Sequence, residues 1–236
     1  MLSSDFRSEN PLTQARTFHI QNRWQTLKKV KRKFEIFGFS IGWFAIIAQF
    51  FLMLENRQAD IPETIIRFFS FFTILTNIIV ALFLTISVFR FKKFPFNLFL
   101  AKGTLTAITA FIVIVGLVYQ IVLRKIWEPT GLQYIVDELL HTIIPLFMLG
   151  YWFFNIRKED LLLKPVFNWL IYPSIYLVFI IVRGNISGYY PYPFLNIKEI
   201  GYESVLLNIT VIFTIAIVIM IALSIIGKFK FKNNPL

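Results

Sequence analysis

The chain has 236 residues, 57% of them hydrophobic and only 16% charged, and a mean hydropathy of +0.67; a soluble domain carries about a quarter charged residues, so a water-soluble globule is excluded. The formal charge of +11 does not signal nucleic acid, because the basic residues gather at the ends of long apolar runs, where they set membrane topology. With no cysteine and two histidines lacking metal-binding spacing, disulfides, thiol catalysis and thiolate sites are excluded, and no metal or cofactor is expected.

Residues 1–33 form a basic arm, with Arg7, Arg16, Arg23, Lys28, Lys29, Lys31, Arg32 and Lys33 against Asp5 and Glu9. Ile20, Trp24 and Leu27 recur at helical spacing. The arm therefore reads either as a helix lying on an anionic membrane surface or as a tail that stops at the first span. The first apolar run starts late and is too long for a signal-peptide core, so it reads as a retained span.

Six apolar segments follow, at about 34–54, 65–89, 103–123, 135–156, 166–182 and 204–226. Each has roughly the 17–25 residues that a membrane-spanning helix needs. The expected fold is all-α: a six-pass domain over residues 34–226, then a basic tail over 227–236. Of the 24 Lys and Arg residues, 18 fall in the arm, the tail and the two loops on their side. Only Arg57, Arg67, Arg124, Lys125, Arg183 and Lys198 fall on the other. That imbalance predicts that both termini are inside.

The second span, RFFSFFTILTNIIVALFLT, places Ser70, Thr73 and Asn77 within about 60° of one another on a helix. A threonine in such a helix usually bonds its own i−4 carbonyl, and an asparagine usually bonds a neighbouring helix. The third span carries Thr104, Thr106, Thr109 and Gly116, which suit close packing, and no evident chemistry. The fourth, YIVDELLHTIIPLFMLGYWFFN, is the informative one. Asp137, His141, Pro145, Met148 and Trp152 share a stripe, with Glu138 at its border. An ionisable group at membrane depth faces the bundle interior and marks a functional site. A carboxylate one turn away can fix the imidazole tautomer. The alternative is a histidine bridging helices as structural glue.

Depth joins these two spans. At 1.5 Å per residue, Thr73 lies roughly 13 Å and His141 roughly 9 Å below the outer surface, both in the outer half of a core about 30 Å thick. The segment RGNISGYYPYPFLNIKEIGYES between the last two spans is too polar to cross the bilayer. Tyr190, Tyr192 and Phe194 suit the membrane interface, stiffened by Pro191 and Pro193. The segment reads as a lid over an outer cavity or as a plain aromatic belt. Arg183, at the end of the fifth span, is placed to pair with Asp137 or Glu138, or to bind a lipid head group or substrate carboxylate.

RFFSFFTILTN, DELLHTIIP and YPSIYLVFIIVRGNISGYYPYPFLN together resemble the signature segments of the bacterial Pr-six-Pr family of six-pass membrane proteins. That family is similar to the eukaryotic androgen-induced protein and FAR-17a proteins. The resemblance covers roughly residues 34–226. It implies an integral protein of a bacterial plasma membrane, with membrane lipids as its surroundings and no nucleic-acid partner. It further implies a threonine-type hydrolase of lipid esters, of the kind formed between a fatty acid and a hydroxy fatty acid. Carried across by motif, the nucleophile falls on Thr73 and the base on His141. Such a hydrolase would use Asp137 or Glu138 to orient the imidazole and Asn77 or Ser70 to bind the oxyanion. No cofactor takes part.

Two other classes compete with this reading. A small-solute or ion transporter would line a path with Arg67, Asp137, Glu138, His141 and Arg183, yet the inner halves of the spans are nearly free of ionisable groups, and no inverted repeat is evident. A non-catalytic lipid-binding protein would keep the fold without the chemistry.

Overall fold

The computed structural model describes residues 11–233. Asp5, Arg7 and Glu9 of the basic arm lie outside the described residues, as do the side chains of Arg16, Ile20 and Trp24. The protein is 84% helical, and the described residues include no strand. Six helices are long and apolar enough to cross a membrane, which gives the all-α, six-pass architecture of an integral membrane protein.

In chain order the helices are α1 (Pro11–Glu55), α2 (Ile61–Ser70), α3 (Phe72–Phe89), α4 (Thr104–Leu123), α5 (Gly131–Asn155), α6 (Leu163–Ser187) and α7 (Ile197–Asn233). Four differ in kind from the segments read in the sequence. The basic arm and the first span are one helix of 45 residues. At 1.5 Å per residue it is about 68 Å long, so its basic end projects well past a core about 30 Å thick. The tail likewise continues α7 as helix to Asn233.

The expected span 65–89 is two helices, α2 and α3. They are separated at Phe71, whose backbone is extended (φ −81°, ψ 124°). α2 begins with Asp60 as its cap, whose carboxylate accepts the Glu63 N–H at 2.9 Å, and with Pro62 in its first turn, where a missing N–H costs nothing. α6 is also interrupted. Pro173 has no N–H to offer the Trp169 carbonyl, and the Tyr172 N–H takes that carbonyl instead, at 3.0 Å.

α4 is the centre of the bundle. Ala107, Ile108, Ala110 and Ile112 are fully buried along it, and the small residues let its neighbours approach closely. α1 meets α3 in the same way, with Gly42 set against Ala81. The outer faces reverse the soluble pattern. Phe37, Phe44, Phe51, Ile175, Val178, Leu206 and Val218 are all exposed, as expected where the surrounding solvent is hydrocarbon.

One end of the bundle is tied by Asp160, which is fully buried. Its carboxylate accepts the Gly103 N–H at 3.2 Å and the Arg157 guanidinium at 2.9 and 3.1 Å. Its carbonyl accepts the Thr106 hydroxyl at 2.6 Å, and Thr106 in turn accepts the Trp152 indole N–H at 3.1 Å. These bonds join α4, α5 and the loop before α6. Removing the carboxylate leaves buried donors without partners, so Asp160→Ala should lower stability by about 1–3 kcal/mol, and Asp160→Asn by less. Scanning fluorimetry of the detergent-solubilised protein measures this; an unchanged melting temperature for Asp160→Ala contradicts the assignment.

Candidate functional site

At the opposite end, the loops 56–60, 124–130 and 188–196 surround a cavity of about 500 Å³. α1 contributes Gln49 and Met53, α2 Arg67 and Phe68, α3 Thr73, α4 Tyr119, and α5 Asp137 and His141. Thr73 and His141 come from different spans and line the same space. Both are buried.

Thr73 sits in the first turn of α3 because of the break at Phe71. The first backbone N–H groups of a helix have no partner within it. The Thr73 N–H donates instead to the Tyr192 phenol at 3.3 Å, and the Thr73 hydroxyl shares a hydrogen bond with the same phenol at 3.4 Å. On the other side of the break, the Ser70 carbonyl accepts the Tyr176 hydroxyl at 2.9 Å. Two tyrosines from distant parts of the chain thus satisfy backbone groups that the break leaves open.

His141 lies in a π turn, Leu139–Ile143. Pro145 accounts for it: the proline has no N–H for the His141 carbonyl, and its ring crowds that carbonyl in a regular helix. Gly116 of α4 packs against this spot, and a Cβ there would lie 2.9 Å from the His141 carbonyl oxygen and 3.2 Å from Pro145 Cβ. The imidazole stacks on Tyr119, with ring centroids 4.1 Å apart. Its Nδ1 is 2.9 Å from the backbone carbonyl of Asp137. A carbonyl only accepts, so Nδ1 carries the proton and Nε2 keeps its lone pair. Thr73 and His141 do not hydrogen-bond each other.

The carboxylates expected to orient the imidazole do not touch it. Asp137 accepts the Trp127 indole N–H at 2.6 Å and the Gln133 amide at 3.1 Å. Glu138 accepts Arg124 at 2.6 Å and the Thr142 hydroxyl at 2.7 Å. The backbone of Asp137, not its side chain, fixes the tautomer.

The expected oxyanion donors are also committed elsewhere. The Ser70 hydroxyl donates to the Ile66 carbonyl at 2.7 Å. The Asn77 amide donates to the carbonyls of Thr73 at 2.9 Å and Leu140 at 3.3 Å. Asn77 is therefore a tie between α3 and the π turn.

Arg183 pairs with neither Asp137 nor Glu138. It reaches across to Glu63 at 2.7 Å, on the oxygen that also takes Arg67 at 2.8 Å. Arg67, with Arg183 beside it, holds the Glu63 carboxyl below the usual carboxylate range. Both guanidinium groups lie over the Tyr189 ring, at 4.2 and 5.0 Å from its centroid.

Within the proposed lid, Tyr192 lines the cavity. Phe194 stacks on its far face at 5.1 Å. Tyr190 turns away, packing on Gly184 and donating to Asn185 Oδ1 at 3.0 Å. Among the cavity residues that the sequence did not single out are Tyr119, Trp127, Gln133 and Gln49. For Tyr119, the Tyr119-Gln120 pair at the end of the third span was a readable signal.

Gly116→Ala should push α4 away from the π turn, at a cost of about 1–3 kcal/mol for overpacking. Its melting temperature should fall while Gly150→Ala, within a helix where an added Cβ meets nothing within 4 Å, should keep or raise it. Equal shifts for the two variants would contradict the close approach.

In comparisons with family models, with curated proteins and with solved structures, nothing matches this chain.

Proposed function

We propose that this cavity is the active site of a membrane-embedded hydrolase of lipid esters, with Thr73 as nucleophile and His141 as general base. The observation that carries the reading is that Thr73 and His141, on separate spans and both buried, line one cavity, the imidazole holding its Nε2 lone pair free. The resemblance of the second and fourth spans to the six-pass threonine hydrolases supports the same assignment. We place the mouth on the outer side, as the count of basic residues favours.

The chemistry follows from the groups present. The Thr73 hydroxyl is weak as a nucleophile until a base takes its proton. As Thr73 Oγ1 bonds to the acyl carbon, His141 Nε2 receives that proton. The ester C–O bond then breaks, and the proton passes from His141 to the departing alkoxide. Water attacks the acyl–Thr73 ester, His141 takes its proton, and the fatty acid leaves as Thr73 regains its hydroxyl. The approach of His141 to Thr73 tightens only once substrate fills the cavity, as catalytic hydrogen bonds often do.

The oxyanion needs donors, and Asn77 and Ser70 are spent. The first turn of α3 supplies them instead. The Thr73 N–H is the donor beside the attacking hydroxyl, and the helix dipole adds positive potential there. Tyr192, which accepts the Thr73 N–H, yields that donor to the oxyanion. A lipid-borne ester enters laterally from the bilayer, and water enters through the polar rim at Asn56 and Gln58. Beneath the cavity, Val80, Ile108, Ile112 and Met148 are fully buried and fill the bundle, which favours a blind reaction chamber over a transport path.

The test is hydrolysis by the purified protein in detergent, with a panel of simple and branched fatty acid esters. Wild type should release fatty acid. Thr73→Ala and His141→Ala should each lower the rate about a hundredfold or more with melting temperatures kept. An inactive wild type, or variants that match it, would overturn the proposal.

A further inference from the structure

The cavity mouth carries a cluster of charge that ester hydrolysis does not use. Arg67 and Arg183 share a single carboxylate oxygen of Glu63, so the group keeps a net positive charge. The two arginines are not equivalent. Arg183 is sealed, its side chain only 9% exposed, and is spent on Glu63 and the Tyr189 carbonyl. Arg67 lines the cavity, and its side chain is 26% exposed. Only its Nε has a hydrogen-bond partner among the described residues. Its two terminal nitrogens remain available, and the guanidinium plane is held in place by Glu63 on one edge and the Tyr189 ring on one face.

A guanidinium fixed in this way presents a planar fork that matches a carboxylate or phosphate. The rest of the cavity says what the anion is attached to. Leu52, Met53, Phe68, Phe71, Ile74 and Leu140 supply its apolar wall, and the mouth opens at a membrane surface. The other cavity-lining charges fit. Arg57 adds positive charge, though one of its nitrogens donates to the Leu54 carbonyl. Asp137, the one carboxylate of the lining, is turned to Trp127 and Gln133.

We infer that Arg67 is the recognition group of an anion subsite, and that the cavity takes an anionic amphiphile: a carboxylate or phosphate carried on an apolar chain. Binding needs no bond to break, so this inference does not rest on the hydrolase reading.

The experiment compares dodecanoate, dodecyl phosphate and methyl dodecanoate for binding to the full chain in a nonionic detergent. The methyl ester has the same chain without the charge. Wild type should bind at least one of the two anions about tenfold or more tightly than the methyl ester, the range of a charge-assisted pair. Arg67→Gln should erase that preference while leaving methyl dodecanoate binding unchanged, which also shows that the variant is folded. Arg67→Lys should keep part of it. The readout is binding and involves no ester cleavage, so a failure of the catalytic proposal is read separately. If Arg67→Gln does not fold, raising the salt from 50 to 500 mM on wild type should still shrink the anion preference and not the methyl ester affinity. An unchanged preference in Arg67→Gln, or no preference in wild type, overturns the subsite. Acetate or inorganic phosphate competing as well as the long-chain anions overturns the lipid-borne source and assigns a free ion.

Discussion

Hydrocarbon cannot hydrogen-bond a peptide group, so a break inside a membrane bundle persists only where something else satisfies the backbone. Here two phenols do so. Tyr176 donates to the Ser70 carbonyl, and Tyr192 accepts the Thr73 N–H. Everything distinctive about the site follows from that arrangement. It turns Thr73 from a mid-span residue, with a hydroxyl that would bond back to its own helix, into a first-turn residue facing a cavity. It also places the positive end of α3 beneath that hydroxyl. A second interruption, the π turn forced by Pro145, sets His141 on the wall of the same cavity, with its tautomer fixed by a backbone carbonyl.

The two ends of the bundle divide the labour of the fold. At the basic end, Asp160 and Trp152 join α4, α5 and the approach to α6 through fully satisfied polar groups, and the interior between is packed with small and branched residues. At the mouth end, the helices separate, and polar side chains line the gap in linked pairs: Gln49 with Gln133, Gln133 with Asp137, Asp137 with Trp127.

Much of this was legible in the sequence. The six spans follow from run length alone, since hydrocarbon thickness fixes how many apolar residues are needed. Depth arithmetic put Thr73 and His141 at similar levels, and they line one cavity. The break at Phe71 was not legible, because RFFSFFTILTN contains neither proline nor glycine, and the groups that sustain it lie more than a hundred residues away. The same distance hid the partner of Arg183, which is Glu63 and not the nearer-looking Asp137 or Glu138. Spacing on one helix showed that Asp137 and His141 share a face, but it did not show that the carboxylate turns outward to Trp127 and Gln133 while only the backbone carbonyl turns to the ring. The wheel also assumed one helix through Ser70, Thr73 and Asn77, whereas Ser70 ends α2 and donates to the Ile66 carbonyl of that helix, and Asn77 donates to the Thr73 and Leu140 carbonyls, joining α3 to the π turn.

The central claim is that the hydroxyl of Thr73 is activated by His141. Its most direct measurement is the site of covalent labelling by a fluorophosphonate probe, located by mass spectrometry of the detergent-solubilised protein. The account predicts phosphonylation on Thr73, lost in His141→Ala and retained in Asn77→Ser. Labelling elsewhere, no labelling, or labelling of Thr73 that does not depend on His141 would contradict it.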